Sequence, residues 1–188
     1  MTSPTSPDPV TEAAAYQRHL LDALGADDPV AAQAETPAVI RDLIADAGED
    51  LRTIPSPGEW SVLECVAHVV DAELVVSGRY RWILAQDEPE LLGYDQALWV
   101  SGLHHRDDDP AVLIALFEGL RAANLDLWRR TPAEDRERIG LHRERGPESY
   151  DLTFRLAAGH DRVHLDQARA TLTAVRREAG DPAGAAPR

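Results

Sequence analysis

Apolar positions along the chain recur at helical spacing almost throughout. Residues of about 10–24 carry Tyr16, Leu20, Leu21 and Leu24, and about 36–50 carry Val39, Ile40, Leu43 and Ile44. Asp27, Asp28 and Pro29 interrupt these two stretches, which predicts one broken or two-part helix. After the turn "PSPGEW", Ser61 and Glu64 form a capping-box pattern that opens a helix. Its apolar set runs through Val62, Val66, Val69, Leu74, Val76 and Ile83 to about residue 86. Asp109-Pro110 starts a third long helix on Val112, Leu113, Leu116, Phe117, Leu120 and Leu127, ending near 130. A fourth, about 150–178, uses Leu152, Leu156, Val163 and Leu172.

No strand-like alternation of any length is visible, so the expectation is an all-α fold, a four-helix bundle. Residues 87–109 link the second and third bundle helices with a stretch far beyond a tight turn, with a short helix near 94–101. Such a link can run back along the bundle, so those two helices are expected parallel, giving up-down-down-up order. The polar stretch 131–149 reads as a plain connection. Residues 1–9 and 179–188 are polar, Pro- or Gly-rich and read as loose tails around one domain, 10–178.

Charge narrows the functional classes. With 33 acidic against 19 basic residues the net charge is −14, unsuited to a nucleic-acid backbone or an anionic membrane surface. All the basic residues are Arg, which excludes lysine Schiff-base chemistry and a Walker-type phosphate lysine. A single Cys65 excludes an internal disulfide and a cysteine metal cluster. No signal peptide or bilayer-length apolar run is present, and a cytoplasmic protein is expected.

Chemistry is concentrated in histidines. His160 and His164 stand four apart on the inward stripe of the last helix, where two imidazoles can share one ion. The pattern "HExxH" is absent, and such a pair is equally the mark of two solvated side chains. His68 lies on another helix among Val66, Ala67, Val69 and Val70, and a bundle can bring it against the pair. Three neutral imidazoles suit a divalent transition metal and leave a coordination position free. Glu64, Asp71 and Asp161 are candidates to orient the imidazoles, although each also suits a cap or a solvated charge. Asn124 falls on the inner stripe of the third helix, and Gln167 and Thr171 extend the inner face of the fourth. His104 and His105 read as exposed loop residues, and His19 and His142 as surface ones. Cys65 reads as buried filler, and Trp60, Trp82, Trp99 and Trp128 as packing anchors.

"PSPGEWSVLECVAHVVDAE", "RYRWIL", "PELLGYDQALW" and "HDRVHLDQAR" together resemble the DinB-like superfamily over roughly residues 35–175. The resemblance implies the crossed-over four-helix bundle and a divalent metal (zinc, nickel, iron or manganese) held by His68, His160 and His164. It also implies a homodimer, and activity as a transferase that uses a low-molecular-weight thiol of the mycothiol or bacillithiol type on small electrophiles. On that reading Arg79, Arg81 and Trp99 wall the site. A metal-dependent hydrolase and a non-enzymatic, stress-related metal-binding protein are the rival expectations.

Overall fold

In the computed structural model residues 7, 8 and 10–180 are described, so the expected tails lie mostly outside the described residues. Six α-helices follow in chain order: α1 (Ala13–Leu24), α2 (Pro29–Ala47), α3 (Val62–Ala85), α4 (Gln96–Gly102), α5 (Pro110–Arg130) and α6 (Tyr150–Gly180). The expected break at Asp27–Pro29 is real, but it starts α2 rather than preceding a gap. Asp28 accepts from the backbone N–H groups of Val30 and Ala31, with Pro29 in the first turn.

Helix α2 then runs through Pro37. A proline has no N–H, so the carbonyl of Gln33, four residues back, loses its helical donor. Arg121 of α5 supplies a replacement, donating from Nη1 at 3.1 Å. The side chain of Gln33 in turn donates to the carbonyl of Phe154 at 2.8 Å, tying α2 to α6.

Cross-helix contacts fix the directions. On α3 and α5, Glu73 meets Arg121 and Ser77 meets Asn124, so these two run parallel. On α3 and α6, His68 meets His164 whereas Tyr80 meets Tyr150, so they run antiparallel. On α2 and α6, Gln33 meets Phe154 and Asp46 meets Arg176, again parallel. Helices α2, α3, α5 and α6 are therefore a four-helix bundle in up-down-down-up order.

Helix α3 is the central member: from Val62 to Val70 every side chain is buried. Its first two turns pack with Ile40, Leu43, Phe117, Leu165, Ala168 and Leu172, and its far end with Trp128, Tyr150 and Phe154. Helix α1 lies against α6, at Gly159. A Cβ there would come within 1.9 Å of the Leu20 carbonyl oxygen, so the backbones touch only because residue 159 has no side chain.

The connections differ from expectation in one respect. Residues 131–149 are not plain loop: β2 (Ile139–His142) and β3 (Gly146–Ser149) form a hairpin, and β1 (Glu90–Leu91) adds to it in parallel, in the order β1-β2-β3. These strands are too short for alternation to register. The sheet pins the long crossover between α3 and α5 onto the bundle, with Leu91 fully buried over Gly140.

Candidate functional site

The capping box at the head of α3 forms as expected. Ser61 Oγ accepts from the N–H of Glu64 at 3.3 Å, and Glu64 Oε2 accepts from the N–H and Oγ of Ser61, both at 2.8 Å. This fixes the start of a buried helix, and His68 follows within its first two turns, 1 % exposed. His160 and His164 come from α6, one turn apart on the face that packs against α3.

The three imidazoles converge. His68 Nε2 stands 3.1 Å from His160 Nε2 and 3.3 Å from His164 Nε2, and the three ligand atoms all lie within 4.8 Å of one another. Three nitrogens holding one zinc at ~2.0–2.1 Å in a tetrahedron would stand ~3.3 Å apart. The spacing therefore suits a shared ion. Burial, reinforced by the neighbouring imidazoles, pushes His68 and His160 well below the usual histidine range, and burial pushes His164 down to about 4. All three are neutral at pH 7, with lone pairs available.

The surroundings fit the same purpose. Gln167 Oε1 lies 2.9 Å from His164 Nδ1, so the N–H is on Nδ1 and the lone pair on Nε2. Trp60 covers the cluster, its ring 5.3 Å from that of His68 and 6.4 Å from that of His164; Tyr94 approaches His68 from the crossover at 6.3 Å. Tyr94 itself leans on Trp99 at 4.4 Å. His68 Nδ1 is buried with no hydrogen-bond partner.

A cavity of about 560 Å³ opens beside the cluster, lined by His68 and His160 together with Tyr94, Arg79, His142 and Arg145. Arg79 thus walls the cavity as expected. Arg81 does not line it: it reaches Asn124 Oδ1 at 2.9 Å and the Ser77 carbonyl at 2.7 Å. Trp99 acts at one remove, behind Tyr94.

None of the carboxylates expected to orient the imidazoles contacts one of the three. Glu64 is held by its capping box and by Arg106 Nη2 at 3.1 Å. Asp71 accepts from His105 at 2.8 Å. Asp161 points the other way, into a buried network in which Arg121 donates to Asp161 at 2.7 Å and to Glu73 at 2.8 Å and 3.0 Å. Thr36 and Asn124 complete that network, Asn124 donating to Glu73 and Ser77. Asn124 is interior, as its stripe implied, but its role is there and not at the imidazoles.

Several other readings change. His105 is buried, its two ring nitrogens bonded to Asp71 and Asp108. His142 is buried as well, because the hairpin folds it under the crossover. Trp82 is 41 % exposed and anchors nothing central, whereas Trp128 stacks on Phe154 at 3.9 Å. Cys65 is buried, and burial pushes its thiol up to about 12, so it is inert filler. Nothing local in the sequence announces the Arg121 network or the His105 pair, since each joins residues from separate elements.

A crossed-over helical bundle with three histidines at the edge of an interior cavity is the class of protein defined here. The chain belongs to the DinB superfamily, whose profile matches residues 30–168. It is similar to a protein of Oceanobacillus iheyensis named "Putative metal-dependent hydrolase", 24% identical over 132 residues, covering 70% of this chain and 76% of that one. A Geobacillus thermodenitrificans protein of the same name is 29% identical over 92 residues, covering 48% and 52%. Among solved structures, YfiT from Bacillus subtilis, described as a probable metal-dependent hydrolase with an unusual four-helix bundle topology, superposes with a TM-score of 0.68 at 19% identity, covering 95% of this chain and 94% of that one. That likeness extends the fold to α1 and α6 together. No helix among the described residues is long and apolar enough to cross a membrane.

Proposed function

We propose that the protein is a divalent-metal-dependent enzyme in which His68, His160 and His164 hold the ion, acting as a transferase with a low-molecular-weight thiol as cosubstrate. The observation that carries the metal is the convergence of three neutral imidazole nitrogens at near-ligand spacing. A bound divalent cation supplies Lewis acidity and lowers the pKa of a thiol or water that reaches it.

The choice of a thiol over water rests on the carboxylates. Hydrolysis is helped by a general base within hydrogen-bond reach of the nucleophile. Here Glu64 is tied into the capping box, Asp71 to His105, and Glu73 and Asp161 to Arg121, while in the cavity wall Asp95 caps α4 and Glu144 stands against His142. A thiol, far more acidic than water, needs less help from a base. The protein's own residues then position and enclose: Gln167 orients His164, Trp60 and Tyr94 keep water from the imidazoles, and the cavity receives the electrophile. The hydrolase reading is favoured by the names of the relatives.

The deciding experiment loads purified protein with zinc, nickel, iron or manganese and follows a panel of small electrophiles with and without mycothiol or bacillithiol. Thiol-dependent turnover lost in His68→Ala is expected. Turnover without thiol moves the protein to the hydrolases. Stoichiometric metal with no turnover in either arm leaves a metal-binding protein and overturns the enzyme reading.

A further inference from the structure

Two arginines are buried in this bundle, and they differ in one respect. Arg121, 1 % exposed, is met by the carboxylates of Glu73 and Asp161. Arg79, 6 % exposed, has no carboxylate within 4.0 Å among the described residues. It donates from Nη2 to the carbonyl of Leu92 at 2.5 Å, and its Nε is buried with no partner among the described residues. A guanidinium left in that condition is costly unless an anion completes it.

Arg79 faces the cavity that His68 and His160 also line. A second unsatisfied group lies in the same wall. His142 Nδ1 is engaged by Glu144, standing 3.3 Å from its backbone nitrogen and 2.9 Å from its carboxylate oxygen. The other ring nitrogen, Nε2, is buried and has no partner among the described residues, so it is open to a ligand. The ring is neutral: burial, then the charges of Arg145 and Arg79, push it down to about 4. Two buried nitrogens without partners among the described residues, Arg79 Nε and His142 Nε2, thus line one cavity, beside Arg145, which is satisfied by Glu148.

We infer that Arg79, assisted by His142, seats a carboxylate of the small molecule whose reactive end lies at His68 and His160. This names a substrate class for the site and rests on the functional reading above only for what happens at the histidines. A carboxylate is favoured over a phosphate dianion because one free guanidinium supplies one charge, and Glu144 and Asp95 also line the cavity. Arg79 follows His68 by eleven residues, three turns along the same face of α3, and both line the cavity. The volume is within the roughly 300–1,000 Å³ range of small-molecule sites. The ligand is therefore a small organic acid with the carboxylate at one end and the reacting group at the other.

Titration calorimetry of the full chain with succinate, with its neutral diamide and with inorganic phosphate tests this, in metal-free and zinc-loaded protein. Succinate is expected to bind in both forms, the diamide in neither, and phosphate more weakly. Arg79→Gln is expected to weaken succinate by roughly tenfold or more, whereas Arg81→Gln, on the same helix but away from the cavity, leaves it unchanged. Circular dichroism melts confirm that each variant folds. Should Arg79→Gln not fold, Arg79→Lys keeps the charge and loses the planar fork, and a several-fold weakening is expected of it. Unchanged succinate affinity in the folded Arg79 variant, binding confined to zinc-loaded protein and insensitive to Arg79, or a preference for phosphate each overturns the inference. Zinc titrated into the same samples separates the two readings. Zinc binding without succinate binding removes the carboxylate seat alone. Succinate binding without zinc binding removes the metal reading and leaves the seat.

Discussion

Two polar clusters lie side by side inside this bundle, and they are finished to different degrees. In the Arg121 cluster every charge is answered: the guanidinium meets two carboxylates and the Gln33 carbonyl, and Asn124 and Thr36 take up remaining valences. The histidine cluster is left open. Its three Nε2 atoms face one another with no charge to answer them, and His68 Nδ1 has no partner among the described residues. His160 and Asp161, adjacent on α6, belong one to each. The closed cluster costs nothing further once folded, so its purpose is to hold helices α2, α3, α5 and α6 in register. The open cluster is stable only because the closed one and the apolar core hold it in place, which is the arrangement expected of a binding site.

The contrast is broken most severely at Arg121. Replacing it with Met strands Glu73 and Asp161 as buried carboxylates, and a loss of about 3–5 kcal/mol is expected in denaturant unfolding. A loss below 1 kcal/mol would show that the network is dispensable.

His68→Leu is expected to act in the opposite sense on the metal-free protein. It removes an unpartnered buried nitrogen and should leave stability unchanged or raise it by about 1 kcal/mol. Stoichiometric metal binding, read by elemental analysis, should disappear. The same loss of stability in His68→Leu as in Arg121→Met would erase the distinction between the clusters.

Acid sharpens the comparison. His164 and His142 bind protons in the unfolded chain near the usual 6.5 but in the folded chain only near 4. Their folded-state neutrality therefore contributes stability that is fully present above 6.5 and is lost as pH falls from there toward 4. His105 works in the reverse sense. Burial lowers it, but bonds to Asp71 and Asp108 outweigh that and raise it, so its contribution fades as pH rises above 6.5. The net expectation for metal-free protein is a melting temperature that declines below pH 6, and bound metal should suppress the decline near the histidines. A flat profile between pH 4 and 7 would contradict it.

The smallest effect is expected at Gln167. Gln167→Ala frees the His164 ring to rotate and should reduce metal affinity by about tenfold, with stability nearly unchanged. Equal affinities would mean that the ring is held by packing alone.

Periodicity made the long helices legible, and the capping box at Ser61 and the spacing of His160 and His164 were readable locally. Apolar spacing places the second stretch at about 36–50, whereas α2 starts at Pro29 and continues through Pro37, which Arg121 on a distant helix makes tolerable. The sheet was missed because two- and four-residue strands carry no pattern. Their place in connecting segments predicts exposure for His105 and His142, and neither Asp71 nor the hairpin announces the burial. Arg79 was placed correctly in the wall, but its lack of a counter-charge is a property of three-dimensional surroundings.

The chain order itself has a consequence. In a simple up-and-down bundle, tight turns would join neighbouring helices and the end carrying the imidazoles would be bare. Running α3 and α5 in the same direction obliges the polypeptide to travel the length of the molecule between them. That return journey delivers Tyr94 to the wall of the cleft, with Trp99 behind it. The roof over the histidines is thus a by-product of topology, and its composition can be altered, residue by residue, without disturbing the four pillars beneath.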